Sequence, residues 1–358
     1  MNEPAHTTID ESLVRAAVAA AVNDAGTPLS TEVAEVAIDG TWVAVILGGA
    51  ITSPGMLRHV HRAVTSALPG VDVDVRYAGR IYRGGGGFGD GKHIVAVLGG
   101  KGGVGKSTVA VNLALTLSAM GARVGLIDCD VNAPDIPHML GVREIEPDRR
   151  HSLPQAKARL APPSRRRRPH ECYGIQVMSV GFEIPERFAP RVTSRMLVST
   201  LLRDLIFEVN WSADVLVLDA PPGTGEELQV IAGELPISGA LFVTTPQDLA
   251  QMDAERTLAL LAEHGVPVIG VVKNMAALAC PHCDREIDLY GQSTRLADAG
   301  VPVIGSIPFD VGLSAAADKG RPLVLGEPTG PIAYEFARIG SYTRRWLAEH
   351  EHERVLSS

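Results

Sequence analysis

The chain has 358 residues, 46% hydrophobic and 21% charged, enough for one main domain and an accessory module. Lys+Arg 33 against Asp+Glu 41 leaves a net charge of −8. That balance speaks against a broad nucleic-acid-binding face, which gains affinity by neutralising phosphates. No apolar run reaches the roughly 18 residues that span a bilayer. The N-terminal MNEPAHTTIDES has neither the basic start nor the apolar stretch of a secretory leader. No membrane association and a cytoplasmic location are therefore expected. Four cysteines, Cys129, Cys172, Cys280 and Cys283, are too few for a disulfide scaffold.

In chain order, residues 11–22 carry apolar side chains at helical spacing. Residues 33–38 and 41–47 alternate as strands about an Asp39-Gly40 hairpin turn. A helix over 56–68 and an alternating strand over 71–77 complete a small α-β-β-α-β module, expected to occupy 1–78. Residues 84–91 read GGGGFGDG, the centre of a glycine-rich linker placed at 79–92.

Beyond the linker the pattern changes. Short apolar runs without alternation recur at 93–98, 123–127, 214–218, 239–243, 266–272 and 301–307. Helical periodicity separates them over 107–120, 192–209, 248–264 and 331–350. Strands buried on both faces and alternating with helices predict an α/β fold, a doubly wound and mostly parallel sheet. This domain is expected over 93–345, with a polar tail at 346–358. The proline-rich stretch 143–170, with its four arginines at 165–168, reads as a solvated surface loop.

Chemistry enters first at Gly100-Lys101-Gly102-Gly103-Val104-Gly105-Lys106-Ser107, a G-x-x-x-x-G-K-[ST] phosphate loop between a strand and a helix. Glycines let successive N–H groups converge on phosphate oxygens, and the helix N-terminus adds positive potential. Lys106 is expected to reach the terminal phosphates and Ser107 to ligate Mg²⁺. Asp219 ends one strand run, while Asp128 and Asp130 follow another. These carboxylates suit metal support and, at Asp130, orientation of the attacking water. Lys101 is a second lysine that an ordinary loop does not need. Arriving from a second subunit, it would neutralise transition-state charge as an arginine finger does, which predicts a nucleotide-sandwich homodimer.

Cys280-Pro281-His282-Cys283 supplies two thiolates, half of a tetrahedral metal set. A two-fold dimer would bring four together, enough for one [4Fe–4S] cluster or one Zn²⁺. A redox disulfide is the competing reading. Cys129 and Cys172 read as structural.

Residues 93–340 resemble the Mrp family of iron–sulfur cluster carrier proteins, a branch of the deviant-Walker P-loop ATPases that includes the Min and Par partitioning proteins. The resemblance rests on GKGGVGKST at 100–108, DCDVNAPDIPHMLG at 128–141 and DAPPGTGEE at 219–227. TTPQDLA at 244–250, VVKNM at 271–275 and CPHC at 280–283 extend it. It implies ATP binding by the loop through Thr108, slow hydrolysis, and a dimer-bridging [4Fe–4S] cluster handed to apoproteins. Cluster-assembly factors are further implied partners, Asn274 is implied to read the adenine, and Pro308 to lie near the base. A positioning or chaperone ATPase with a structural zinc is the alternative. Residues 11–77 are similar to a small domain often fused to such carriers. That domain commonly has an Asp-Pro-Glu segment and a cysteine where this chain has Asn23-Asp24-Ala25-Gly26 and Met56, so a docking role without metal is expected.

Overall fold

The computed structural model describes residues 9–22, 32–39, 42–48, 55–77, 80–83, 92–130, 133–142, 167–179, 182, 202, 204–206, 209–223, 225–280, 282–283, 285–290 and 300–356. The glycine-rich stretch 84–91, residues 143–166 and most of the helix expected at 192–209 lie outside them. The chain divides into two units between Gly91 and Lys92.

In the small unit, α1 (Glu11–Ala19), β1 (Glu32–Asp39), β2 (Trp42–Gly48), α2 (Gly55–Ala67), β3 (Asp72–Tyr77) and β4 (Arg80–Arg83) follow in order. Asp10 caps α1, its carboxylate accepting the Ser12 N–H at 2.9 Å. The sheet order is β1-β2-β3-β4. Only β2 and β3 are parallel, as the α2 crossover between them requires. Val14, Val18, Val60 and Val64 of the helices close on Val43, Val45, Leu47, Val73 and Val75 of the sheet. Two expectations need correction. Asp39 pairs with Trp42, so Asp39 ends β1 where it was expected in the turn. The strand β4 falls in the stretch assigned to the linker, because four residues are too few to show alternation.

In the large unit, β5 (His93–Gly99), α3 (Lys106–Ala119), β6 (Val124–Asp128), α4 (Ile136–Met139), β7 (His170–Cys172) and β8 (Ile175–Ser179) come first. Then come β9 (Val215–Asp219), α5 (Glu226–Glu234), β10 (Gly239–Thr244), α6 (Asp248–Glu263) and β11 (Val268–Lys273). A two-stranded hairpin, β12 (Ala277–Ala279) and β13 (Glu286–Asp288), precedes β14 (Val303–Ser306), α7 (Val311–Asp318), α8 (Leu323–Gly326) and α9 (Pro331–Leu356).

The main sheet runs β14-β11-β10-β5-β9-β6-β8-β7, parallel throughout except at the edge strand β7. Its central strands are buried at almost every position, which is why their sequences are apolar without alternation. The chain leaves β5 for β6 beyond β9, and returns from β9 to β10 on the other side. This reversal opens a crevice at the carboxyl ends of the strands, the usual ligand position in such sheets.

Helix α3 is buried from Val109 to Leu117. Its one buried amide, Asn112, donates to Thr108 O at 2.8 Å and accepts the Val324 N–H at 3.4 Å. Helix α9 lays Phe336, Ile339, Thr343, Trp346 and Leu347 into the core. The expected polar tail from residue 346 is therefore corrected: Trp346 and Leu347 are core residues, and the helix continues to Leu356. Among the described residues no helix is long and apolar enough to cross a membrane.

Candidate nucleotide and thiol sites

The phosphate loop occupies the turn from β5 to α3, as its spacing requires. Gly103 and Gly105 have φ of 80° and 83°, the left-handed region that glycine enters freely. At Gly105 there is no room either, since a Cβ there would lie 2.1 Å from Asn274 Nδ2. Gly100 is confined by the backbone of Asp253, 2.7 Å from where its Cβ would stand. Gly105 ends the turn without a side-chain cap, so the first N–H groups of α3 face the anion position of the loop.

Asp128 and Asp219 are register partners on adjacent strands, which brings both carboxyls beside the loop. Lys106 Nζ lies 2.7 Å from Asp219 Oδ1, with 7% and 1% of the two side chains exposed. Burial pushes the Asp219 carboxyl up from its ordinary range, and Lys106 opposes that rise. Asp128 is raised further, by burial first and then by the Asp219 charge. Its oxygens accept the Ser179 hydroxyl at 3.0 Å and the N–H groups of Ile136 and Asp130 at 3.3 and 3.2 Å. Asp130 is half-buried and accepts the Ala133 N–H at 3.1 Å. Of these two adjacent buried carboxyls, Asp219 is the one paired with the buried cation of Lys106. Ser179 was invisible to sequence reasoning because β8 is a five-residue run beyond an arginine-rich stretch.

Lys101 Nζ donates to Gln247 Oε1 of its own chain at 3.0 Å. Gln247 stands immediately before α6, in the TTPQDLA segment, where nothing in the sequence marked it as a partner for Lys101.

A cavity of about 390 Å³ opens beside the loop, with Gly105, Thr108, Asn274, Met275, Pro308 and Phe309 in its wall. Asn274 and Pro308, distant in sequence, therefore meet next to the helix that the phosphate loop begins. Buried Asn274 donates its amide to Val104 O at 2.8 Å, tying the end of β11 to the loop.

Cys280 and Cys283 lie at the turn of the β12–β13 hairpin, whose three-residue strands are too short to show a period. The Cys280 N–H donates to Arg285 O at 2.9 Å and closes the turn. The N–H groups of His282 and Cys283 and the Cys283 side chain hold the Cys280 thiol below its ordinary pKa, favouring the thiolate that binds metal. Cys280 is half-buried and Cys283 exposed. Among the described residues no three or more of His, Cys, Asp and Glu gather as a metal set. Cys129 is fully buried between the two strand-end aspartates, and Cys172 is partly buried.

Comparison with known proteins now places the chain. The ParA family model described as NUBPL iron-transfer P-loop NTPase matches residues 90–342. An iron-sulfur cluster carrier protein of Aquifex aeolicus is 37% identical over 69% of this chain and 66% of its own length. The carrier protein of Pseudomonas fragi is 38% identical over 72% of this chain and 86% of its own. The mouse iron-sulfur cluster transfer protein NUBPL is 37% identical over 72% and 78%. Among solved structures, a nucleotide-binding protein of Archaeoglobus fulgidus in complex with ADP shares 29% identity, with a TM-score of 0.52 over 68% of this chain and 91% of that one. The cell division ATPase MinD of Pyrococcus furiosus, 21% identical with a TM-score of 0.53 over 71% and 99%, shares the fold. With this match over most of its length, the chain belongs to the iron-transfer P-loop NTPases of the ParA and NUBPL type.

Proposed function

We propose that this protein is an ATP-hydrolysing carrier that holds a [4Fe–4S] cluster between two copies of itself and hands it to apoproteins. The observation that carries the reading is the thiol hairpin: two cysteines at an accessible turn, one biased toward thiolate, with half the ligands a cluster needs. A second copy related by a two-fold axis supplies the other half.

In this reading ATP lays its phosphates on the N–H groups of residues 100–108, and its base enters the cavity between Asn274 and Pro308. Lys106 exchanges part of its contact with Asp219 for phosphate oxygens. The oxygen donors Ser107, Asp219 and Asp128 fit Mg²⁺, a hard cation that prefers carboxylate and hydroxyl ligands. Mg²⁺ would screen phosphate charge there. Asp130, the least buried of the three acids, orients the attacking water. Lys101 leaves Gln247 and reaches the partner's phosphates, so hydrolysis waits for the dimer. ATP then biases one dimer geometry and hydrolysis releases it, a switch that calls for slow turnover. The small α+β unit recruits cluster-assembly factors or clients. The cytoplasm, where thiols stay reduced, is the proposed site of action.

Anaerobic reconstitution with iron and sulfide tests the proposal. Cys280→Ala and Cys283→Ala should each lose the thiolate-to-iron absorbance while keeping ATPase activity. Lys106→Ala should hold a cluster yet bind no ATP. Cysteine variants that retain as much iron as wild type would rule the carrier out. Purified protein with zinc in place of iron would favour the structural-metal alternative.

A further inference from the structure

Asn274 sits where the two sites meet. Its side chain donates to the phosphate-loop carbonyl of Val104 at 2.8 Å, and its own N–H donates to Thr244 O at 2.7 Å. The residue is clamped between the loop and the end of β10. Met275, next in the chain, has a φ of 54°, the left-handed region that a non-glycine residue enters only under constraint. From that corner the chain runs into the thiol hairpin. The Ala276 N–H donates to Ile307 O at 2.9 Å, and the Phe309 N–H donates to Ala277 O at 2.7 Å, which roots β12 on the segment around Pro308. Cys280 follows β12 directly, and none of the residues from Ala276 to Ala279 is a glycine.

The same residues wall the cavity beside the loop. Asn274, Met275, Pro308 and Phe309 face Gly105 and Thr108 across about 390 Å³. A planar base entering this space presses on the corner from which the hairpin springs. A corner held by a buried hydrogen bond on one side and a constrained residue on the other does not deform continuously; it keeps its arrangement or changes it.

We infer that the wall of the base cavity and the root of the thiol hairpin are one mechanical element, so that nucleotide in the cavity resets the exposure and spacing of Cys280 and Cys283. Asn274 is the positioning residue that carries the change. The inference rests on the proposed reading of the cavity as a base site. Thermodynamically it requires nucleotide to bind the two hairpin geometries unequally, and the thiol state then feeds back on nucleotide affinity by the same factor.

The test is the rate at which iodoacetamide alkylates Cys280 and Cys283 in the metal-free full chain, mapped by peptide mass, with and without saturating MgADP or MgATP. Wild type should change its rate by about fivefold or more on adding nucleotide. Partly buried Cys172 serves as internal control. Asn274→Ala, at nucleotide concentrations shown to saturate it, should alkylate equally fast in both conditions. No nucleotide response in wild type, or a full response in Asn274→Ala, would overturn the inference. Should Asn274→Ala bind no nucleotide, Met275→Gly replaces it: glycine keeps the φ without constraint and loosens the corner, and a wild-type response there overturns the idea equally. The readout needs no metal. A chain that answers nucleotide but takes up no iron defeats the carrier reading and leaves this one standing; one that holds iron but shows no response does the reverse.

Discussion

Lys106 answers for two acids at once. It touches Asp219 directly, and the Asp219 charge in turn helps push Asp128 upward. Removing the lysine strands a carboxylate in a site of 1% exposure, and breaking such a buried pair costs about 3 kcal/mol or more. Lys106→Ala should therefore lower unfolding free energy as well as abolish nucleotide binding. The sign of its pH dependence follows from the proton that replaces the lysine. Burial has already raised the Asp219 pKa, and loss of Lys106 raises it further. Above that value the variant carries an uncompensated charge; below it the carboxyl is neutral. The deficit should be largest near neutral pH and shrink as the pH falls into the carboxylate range. Denaturant melts of wild type and variant at neutral and mildly acidic pH check this, and an equal deficit at both would mean that Asp219 does not change protonation between them.

Among the secondary-structure elements, the phosphate loop is fitted against the end of β11 as well as against its own helix. A Cβ at Gly105 meets both problems at once: a φ of 83° and an amide nitrogen at 2.1 Å. Gly105→Ala should destabilise the fold, with about 1 kcal/mol or more from the left-handed backbone alone and the rest from the collision. Pairing it with Asn274→Gly removes the collision but leaves the backbone cost, so Gly105→Ala should cost less in that background than alone. Melting temperatures of the two single variants and the double show whether it does; strictly additive losses would mean the loop simply shifts aside. Much of this arrangement was legible beforehand. The strands β5, β6, β9, β10 and β11 are apolar because both their faces are covered, and the loop spacing fixes where α3 begins. What stayed hidden has physical reasons. Strands β12 and β13 have three residues each, too few for any period. Glu349, Glu351 and Glu353 made the end of α9 read as a polar tail although Trp346 and Leu347 are buried. The contacts of Ser179 with Asp128 and of Gln247 with Lys101 join segments far apart in the chain, which composition and local spacing do not encode.

For the whole molecule, the proposed function has Lys101 and the thiol pair each complete a site only when a second copy is present. Lys101 rests on Gln247 within its own chain, and the thiols number half of what a cluster requires. The lysine can be tested without iron by mixing two inactive variants. Lys101→Ala keeps an intact Lys106 but offers its partner no second lysine. Lys106→Ala cannot bind nucleotide but still presents Lys101. Neither should hydrolyse ATP alone. In a heterodimer, the Lys101→Ala subunit binds ATP and receives Lys101 from its neighbour, so one of the two sites is complete. Random exchange at equal amounts makes about half the dimers mixed, and activity should recover to about a quarter of wild type. The recovery should grow with protein concentration, as any shared site must. If mixing restores nothing while wild type turns over, Lys101 acts within its own chain and its bond to Gln247 belongs to the working site.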